Sequence, residues 1–240
     1  MFPWVVQLEL KVSGQEVATC SGSIITRRVV MTAAHCIDVL KPEEMEKINV
    51  RFNTSELYRG PRIKVEHGVI HPAYDNLGVA NDIALLKLEE PLPHFDDYVR
   101  PVCLPSHNVE FHKKRLLVAG YGDTFPNGTH SEKLRYYVAT GLSEKPCLAT
   151  LPKARRQRTN PSTVMCIADK HQTVWTGDSG APITDVRKDG RAVQLGIVSY
   201  GLDSTAPYTP RINTRVSAFF SWISDEVREI DKWKRVVSGD

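Results

Sequence analysis

The chain of 240 residues is long enough for one large domain, or two closely joined halves, with a real core. Its 41% hydrophobic and 25% charged residues are ordinary for a globular protein, and a net charge of +3 is too mild to point to nucleic acid. No apolar run approaches the roughly 18 residues of a membrane span, so neither a nucleic-acid nor a membrane partner is expected.

The N-terminal stretch MFPWVVQLEL carries no basic segment and no small-residue cleavage site, and does not read as a signal peptide. Short apolar or alternating runs then recur along the chain: WVVQLEL, SGSII, RRVVM, INVRF, IKVEHGVI, DIALLKL, RLLVAGYG, LRYYVAT, STVMCIA, VQLGIVSYG and INTRV. Turn residues separate them, as in RGPR, PNGT and RKDGR. Many short β-branched runs with Gly, Pro and Asn punctuation argue for an all-β barrel or sandwich. A shorter helix is expected after His35. The four prolines in residues 89–108 mark a surface connector between two halves. Apolar residues at helical spacing in SAFFSWISDEVREIDKWKRV predict one helix at the end.

The five cysteines, Cys20, Cys36, Cys103, Cys147 and Cys166, form no C-x-x-C, which argues against a zinc ribbon or a thioredoxin-type site. Their wide spacing favours disulfides and therefore secretion, with one thiol left over. The glycosylation triplets Asn53-Thr54-Ser55 and Asn127-Gly128-Thr129 agree with secretion. His67 and His71 share the i, i+4 spacing of zinc ligands. Their run is β-like, however, and no glutamate adjoins the first histidine, so no metal site is expected there.

Three stretches carry chemistry. In TAAHCI, His35 is open to three readings: a buried bystander, a metal ligand or a catalytic base. In NDIALLKL, Asp82 opens a strand-like run, so its carboxylate should be half-buried and need a partner, a role a histidine could fill. In TGDSGAP, Ser179 stands between glycines, where a hydroxyl can be exposed and backbone N–H groups are free to bind an oxyanion.

Together and in this order, TAAHC, NDIALLKL and GDSGAP resemble the chymotrypsin/trypsin-like serine peptidases. The likeness runs nearly end to end, through FPWVVQL, CSGS, HPAYDN, RPVCLP, VAGYG, GIVSYG and TRVSAFFSWI. It implies an all-β fold of two antiparallel six-stranded β-barrels with a C-terminal helix. Residues 1–240 would form one peptidase domain: the first barrel mainly in 1–106, the second mainly in 107–216, and the helix in 217–240.

The resemblance also implies roles. Ser179 would be the nucleophile, His35 the general base and then acid, and Asp82 the group that orients His35. The N–H groups of Gly177 and Ser179 would form the oxyanion hole. Ser199 would bond near Asp82, and Ser199, Tyr200 and Gly201 would pair with substrate backbone. Cys20 would pair with Cys36, and Cys147 with Cys166. Cys103 would bond an N-terminal propiece or light chain, or stay a buried free thiol. Polypeptide substrates and protein inhibitors are the expected partners. No cofactor or metal is expected, and the short family calcium loop near 53–63 has Glu56 as its one carboxylate.

Departures from the family pattern set further expectations. Thr173 stands at the pocket base where trypsins have aspartate, so a preference for Lys or Arg is not expected. Arg211 replaces a pocket glycine, as in granzyme B-like peptidases, and implies a preference for acidic residues, since a guanidinium pairs a carboxylate bidentately; the alternative is that Arg211 points elsewhere or plugs the pocket. Trp175 stands at one of the two cysteine positions that normally brace this pocket. Ala181 replaces a glycine and could crowd the oxyanion strand. Asp178 is the family's acceptor for a freed amino-terminus. The chain starts beyond where that segment should lie, so a truncated, zymogen-like form is expected. Lys153–Arg158 is read as a basic solvated loop, with an exosite, a polyanion site or a nicking site as the alternatives. The rival to an enzyme is a weak or inactive homologue that acts by binding.

Overall fold

The computed structural model describes residues 2–13, 16–78, 80–106, 108–122, 131–169, 177–201 and 209–237; the side chains of 12–17, 201 and 231–237 are outside that description. The strands form two closed, all-antiparallel barrels of six. The first contains β1 (Val5–Ser13), β2 (Glu16–Ile24), β3 (Val29–Thr32), β4 (Ile48–Arg51), β5 (Arg62–Ile70) and β6 (Ala84–Leu88), in the order β1-β2-β3-β6-β5-β4. The second contains β7 (Arg115–Gly120), β8 (Arg135–Leu142), β9 (Val164–Ala168), β10 (Pro182–Val186), β11 (Ala192–Gly201) and β12 (Arg211–Arg215), in the order β10-β11-β12-β9-β8-β7.

Local sequence explains the strands that matter for the site. β3 and β6 are apolar without alternation, and every residue of both is buried. Strands covered on both faces read this way. They pair Val30 with Leu86 and Met31 with Leu85, which sets the ends of both strands, and therefore His35 and Asp82, side by side. Lys87 is the polar exception in β6, and its ammonium reaches Glu66 at 2.8 Å.

The final helix, α3 (Phe220–Val237), follows a short 3-10 turn at Val216–Phe219. Val216, Phe219, Ile223 and Ile230 bury into the core of the first barrel, not the second. Their three-, four- and seven-residue spacing forms one helical stripe. His71 stacks edge-on against Phe219 and Trp222, at 4.9 and 5.0 Å between ring centres, so its ring is part of this packing.

Three details differ from the sequence reading. β10 begins within the GDSGAP stretch and was not read as a strand: it is five residues long, and Pro182 at its start masks it. The helix after His35 is a pair of 3-10 turns, Ala34–Cys36 and Pro42–Lys47. The basic run 153–158 is not a loop but a short helix, α2 (Lys153–Arg158), which follows α1 (Glu144–Ala149).

Candidate active site

His35 sits in the 3-10 turn that leaves β3. The Cys20–Cys36 disulfide ties that turn to β2. Asp82 enters just before β6, after Asn81 takes a left-handed φ of 54° and donates its side-chain amide to the Ala73 carbonyl at 2.7 Å. That turn buries the Asp82 carboxylate, which is 1% exposed.

Asp82 is fully engaged. Its Oδ1 accepts the His35 backbone N–H at 2.9 Å, and its Oδ2 meets His35 Nδ1 at 2.7 Å. Ser199 Oγ donates to the same Oδ2 at 2.5 Å. Thr214 Oγ1 donates to the Asp82 backbone carbonyl at 2.7 Å. An ionised carboxylate only accepts, so the proton of neutral His35 lies on Nδ1 and Nε2 is left as the basic nitrogen. Burial alone lowers the pKa of His35, but the hydrogen bond and charge of Asp82, with a further contribution from Asp38, raise it above the ordinary value.

Ser179 comes from the second barrel and is half-buried. Its carbonyl accepts the Ser21 N–H at 2.7 Å, one residue from the disulfide that anchors the histidine turn. Gly180 N donates to the Val198 carbonyl at 2.8 Å, one residue from Ser199. These two bonds seat the serine turn between the elements that hold His35 and Asp82. The seat is tight: a Cβ on Gly180 would lie 2.2 Å from both Ser21 O and Thr32 Oγ1, and φ there is +80°. Gly177 has a φ of +96°, and its carbonyl accepts from Ser21 Oγ at 3.0 Å. Among the described residues, the N–H groups of Gly177 and Ser179 have no protein acceptor, and no hydrogen bond joins Ser179 Oγ to His35. In substrate-free sites this last bond often tightens only on binding.

Asp178 is buried, and its Oδ1 accepts Gly122 N at 3.0 Å. Glycine is required at 120 and 122, because a Cβ at either would come within 2.5 Å of the Asp178 carboxyl group. Ala181 is fully buried, belongs to the apolar cluster of the second barrel, and lies close to Gly120, where an added Cβ would come within 3.2 Å of its methyl.

Arg211 opens β12, opposite Gly201 in register and buried. Tyr137 lies in the same interior. Burial and the charges of Asp178 and Asp169 push its hydroxyl well above the ordinary range, with Arg211 opposing them. Tyr200 is half-buried against the cluster of Leu148, Leu151 and Ile212. Thr173, expected at the pocket base, and Trp175, expected at a position that braces the pocket, lie outside the described residues.

The second disulfide joins Cys147 to Cys166. Cys103 forms no disulfide within the chain, and its side chain is exposed, which corrects the reading of a buried thiol. It opens onto a cavity of about 310 Å³ shared with Arg187 and Arg191. Cys20, His35 and Cys36 cluster as metal ligands would, but both sulfurs are committed to the disulfide, so no thiolate is available there.

Several residues at the site escaped the sequence reading. Tyr74 OH donates to Asp38 Oδ2 at 2.9 Å, beside His35. Burial first, then the acceptor Asp38 and the charge of Asp82, push Tyr74 above the ordinary phenol value. Ser21 and Thr214 hold backbone rather than substrate. Ser21, Tyr74 and Thr214 were legible only as parts of CSGS, HPAYDN and TRVSAFFSWI, and nothing local marked Asp38.

Comparison with known proteins agrees with this geometry. The trypsin family profile matches residues 1–223. The chain is 31% identical over 218 residues to serine proteinase stubble of Drosophila melanogaster, covering 87% of this chain and 27% of that protein. It is 31% identical over 237 residues to human serine protease 41, covering 92% of this chain and 71% of that protein. The crystal structure of the scabies mite inactivated protease paralogue S-D1 superposes with a TM-score of 0.79 at 25% identity, covering 94% of this chain and 92% of that one. Fold, site geometry and these matches agree: the chain belongs to the trypsin family of serine peptidases.

Proposed function

We propose that the chain is a serine endopeptidase that cleaves polypeptides through an acyl-enzyme. Ser179 Oγ attacks the peptide carbonyl. His35 Nε2 takes the hydroxyl proton and returns it to the leaving amine, while Asp82 holds the ring and stabilises its charged form. The N–H groups of Gly177 and Ser179 receive the oxyanion; losing one such donor typically costs about 3 kcal/mol of transition-state stabilisation. Substrate backbone pairs along Ser199–Gly201, with Tyr200 beside it. The observation that carries this reading is the single Asp82 carboxylate, which binds both His35 Nδ1 and Ser199 while Ser21 holds Ser179 in the same cleft.

Arg211 and Thr173 make the pocket non-tryptic, and Arg211 selects Asp or Glu before the scissile bond. Support comes from the placement of Arg211, buried opposite Gly201 in the strand next to the substrate-pairing segment. Asp178 is the acceptor for an activating amino-terminus. Cys103, exposed beside a cavity, is the attachment point for a propiece or light chain, and protein inhibitors are further partners. Two disulfides support a secreted setting. Among the described residues, no helix is long and apolar enough to cross a membrane.

A second reading, a weak or inactive homologue acting as a binding protein, is favoured by the printed name of the S-D1 neighbour, which calls that protein inactivated. Labelling with a fluorophosphonate probe, followed by cleavage of a peptide library, separates the two. The peptidase reading expects labelling that Ser179→Ala abolishes, with Asp or Glu enriched before the cut and that enrichment lost in Arg211→Gly. Absence of both labelling and cleavage would favour the binding protein. Cleavage with no acidic enrichment would leave Arg211 as a pocket plug.

A further inference from the structure

The basic helix α2 leans over the substrate-pairing strand. The Arg155 guanidinium lies on the ring of Tyr200, 4.6 Å from its centre. Arg155 is half-buried, and among the described residues no carboxylate pairs with it. Stacking uses the face of the guanidinium and leaves the N–H donors around its edge free for a planar acceptor.

Two of its basic neighbours make contacts elsewhere. Arg158 Nε donates to Asp75 Oδ2 at 2.6 Å, which ties α2 to the first barrel across the mouth of the cleft. Arg156 Nη1 donates to the Ala149 carbonyl at 3.4 Å. Thr159 Oγ1 donates to the Arg155 carbonyl at 2.9 Å and closes the helix end. The Tyr200 ring thus positions the Arg155 guanidinium while the Thr159 bond fixes its backbone, the kind of support a preorganised contact needs. On the facing wall stand Asp38, bonded by Tyr74, and Asp75, compensated by Arg158.

We propose that Arg155 is a substrate-binding residue that selects an acidic side chain upstream of the scissile bond, separately from Arg211. This rests on the peptidase reading above. In an extended substrate paired along Ser199–Gly201, successive side chains alternate, so those on the face toward Tyr200 are two residues apart. An Asp or Glu there meets the edge of Arg155 while its stem packs on the tyrosine ring.

The test is a peptide library randomised at the second, third and fourth positions before the cut, with the residue at the cut held constant. It is run on the wild-type chain, Arg155→Ala, Arg155→Lys and Arg158→Ala. The wild type should enrich Asp or Glu at one upstream position, or at two positions two residues apart. Arg155→Ala should lower the ratio of kcat/KM for acidic over neutral peptides about tenfold, the usual weight of a hydrogen bond to a charged group. Arg155→Lys should recover part of that ratio, and Arg158→Ala should weaken it by loosening α2.

If the wild type cleaves peptides and labels at Ser179 but shows no upstream acidic enrichment, or if Arg155→Ala leaves the ratio unchanged, the role of Arg155 is overturned and the peptidase reading stands. If the wild type neither labels nor cleaves, both fall together. If the peptide ratio is unchanged while Arg155→Ala abolishes retention on immobilised heparin, the helix is a polyanion site instead.

Discussion

At the level of single residues, Asp38 has the least visible role and the most direct test. In the proposed mechanism His35 must be neutral to accept the serine proton, and the charges of Asp82 and Asp38 favour its protonated form. Activity therefore rises with pH through a histidine pKa above the ordinary 6.5, and is lost as pH falls below it. Asp38→Asn removes one of the two charges, so the acid limb of the kcat/KM profile should move to lower pH. An unchanged limb would show that Asp82 alone sets the titration. The stability linkage has the usual sign for a raised histidine: the contribution is complete below the unfolded-state pKa and disappears as pH rises through the folded one. The sequence order of His35, Asp82 and Ser179 was readable because each lies in a short stereotyped stretch. The pairing of Asp38 with Tyr74 was not, since it spans 36 positions and depends on where the first barrel closes.

At the level of elements, the serine turn shows why certain glycines are needed. Gly180 and Gly190 share a φ of +80°, but a Cβ at 180 would strike the Ser21 carbonyl and Thr32 hydroxyl, whereas nothing lies within 4 Å of one at 190. Gly190→Ala should lose only the backbone strain, about 1 kcal/mol. Gly180→Ala should lose several times more and displace Ser179. Urea unfolding midpoints of the two variants measure the difference, and equal shifts would mean that the serine turn can relax. β10 and α2 were misread at this level for opposite reasons. β10 is too short and too close to the glycine-rich turn to show alternation. α2 has six residues, four of them basic, and no apolar stripe of its own. What holds α2 are contacts to Asp75 and Tyr200, far away in sequence.

At the level of the whole molecule, the two barrels are bound by more than apposition. Ser21 and Ser179, Ser199 and Asp82, Thr214 and Asp82 all bond across them. The C-terminal helix leaves the second barrel and packs on the first. Ile223→Ala should therefore destabilise the protein by about 2–5 kcal/mol, the usual cost of emptying a buried isoleucine site. Hydrogen-exchange protection should fall in β3 and β6 of the first barrel. A loss confined to β7–β12 would show that α3 serves the second barrel instead.

The sequence by itself determined the strand runs of both barrels save β10, the two disulfide partnerships through the family likeness, and the three residues proposed for the chemistry. All of these are written in local pattern or in short motifs. Only the tertiary structure decided that Asp38 meets Tyr74, that Cys103 faces solvent, and that a basic run folds into a helix over Tyr200. Arg158 and Asp75 are 83 residues apart. Their meeting follows from barrel closure and strand register, which fix side-chain directions that no local pattern encodes.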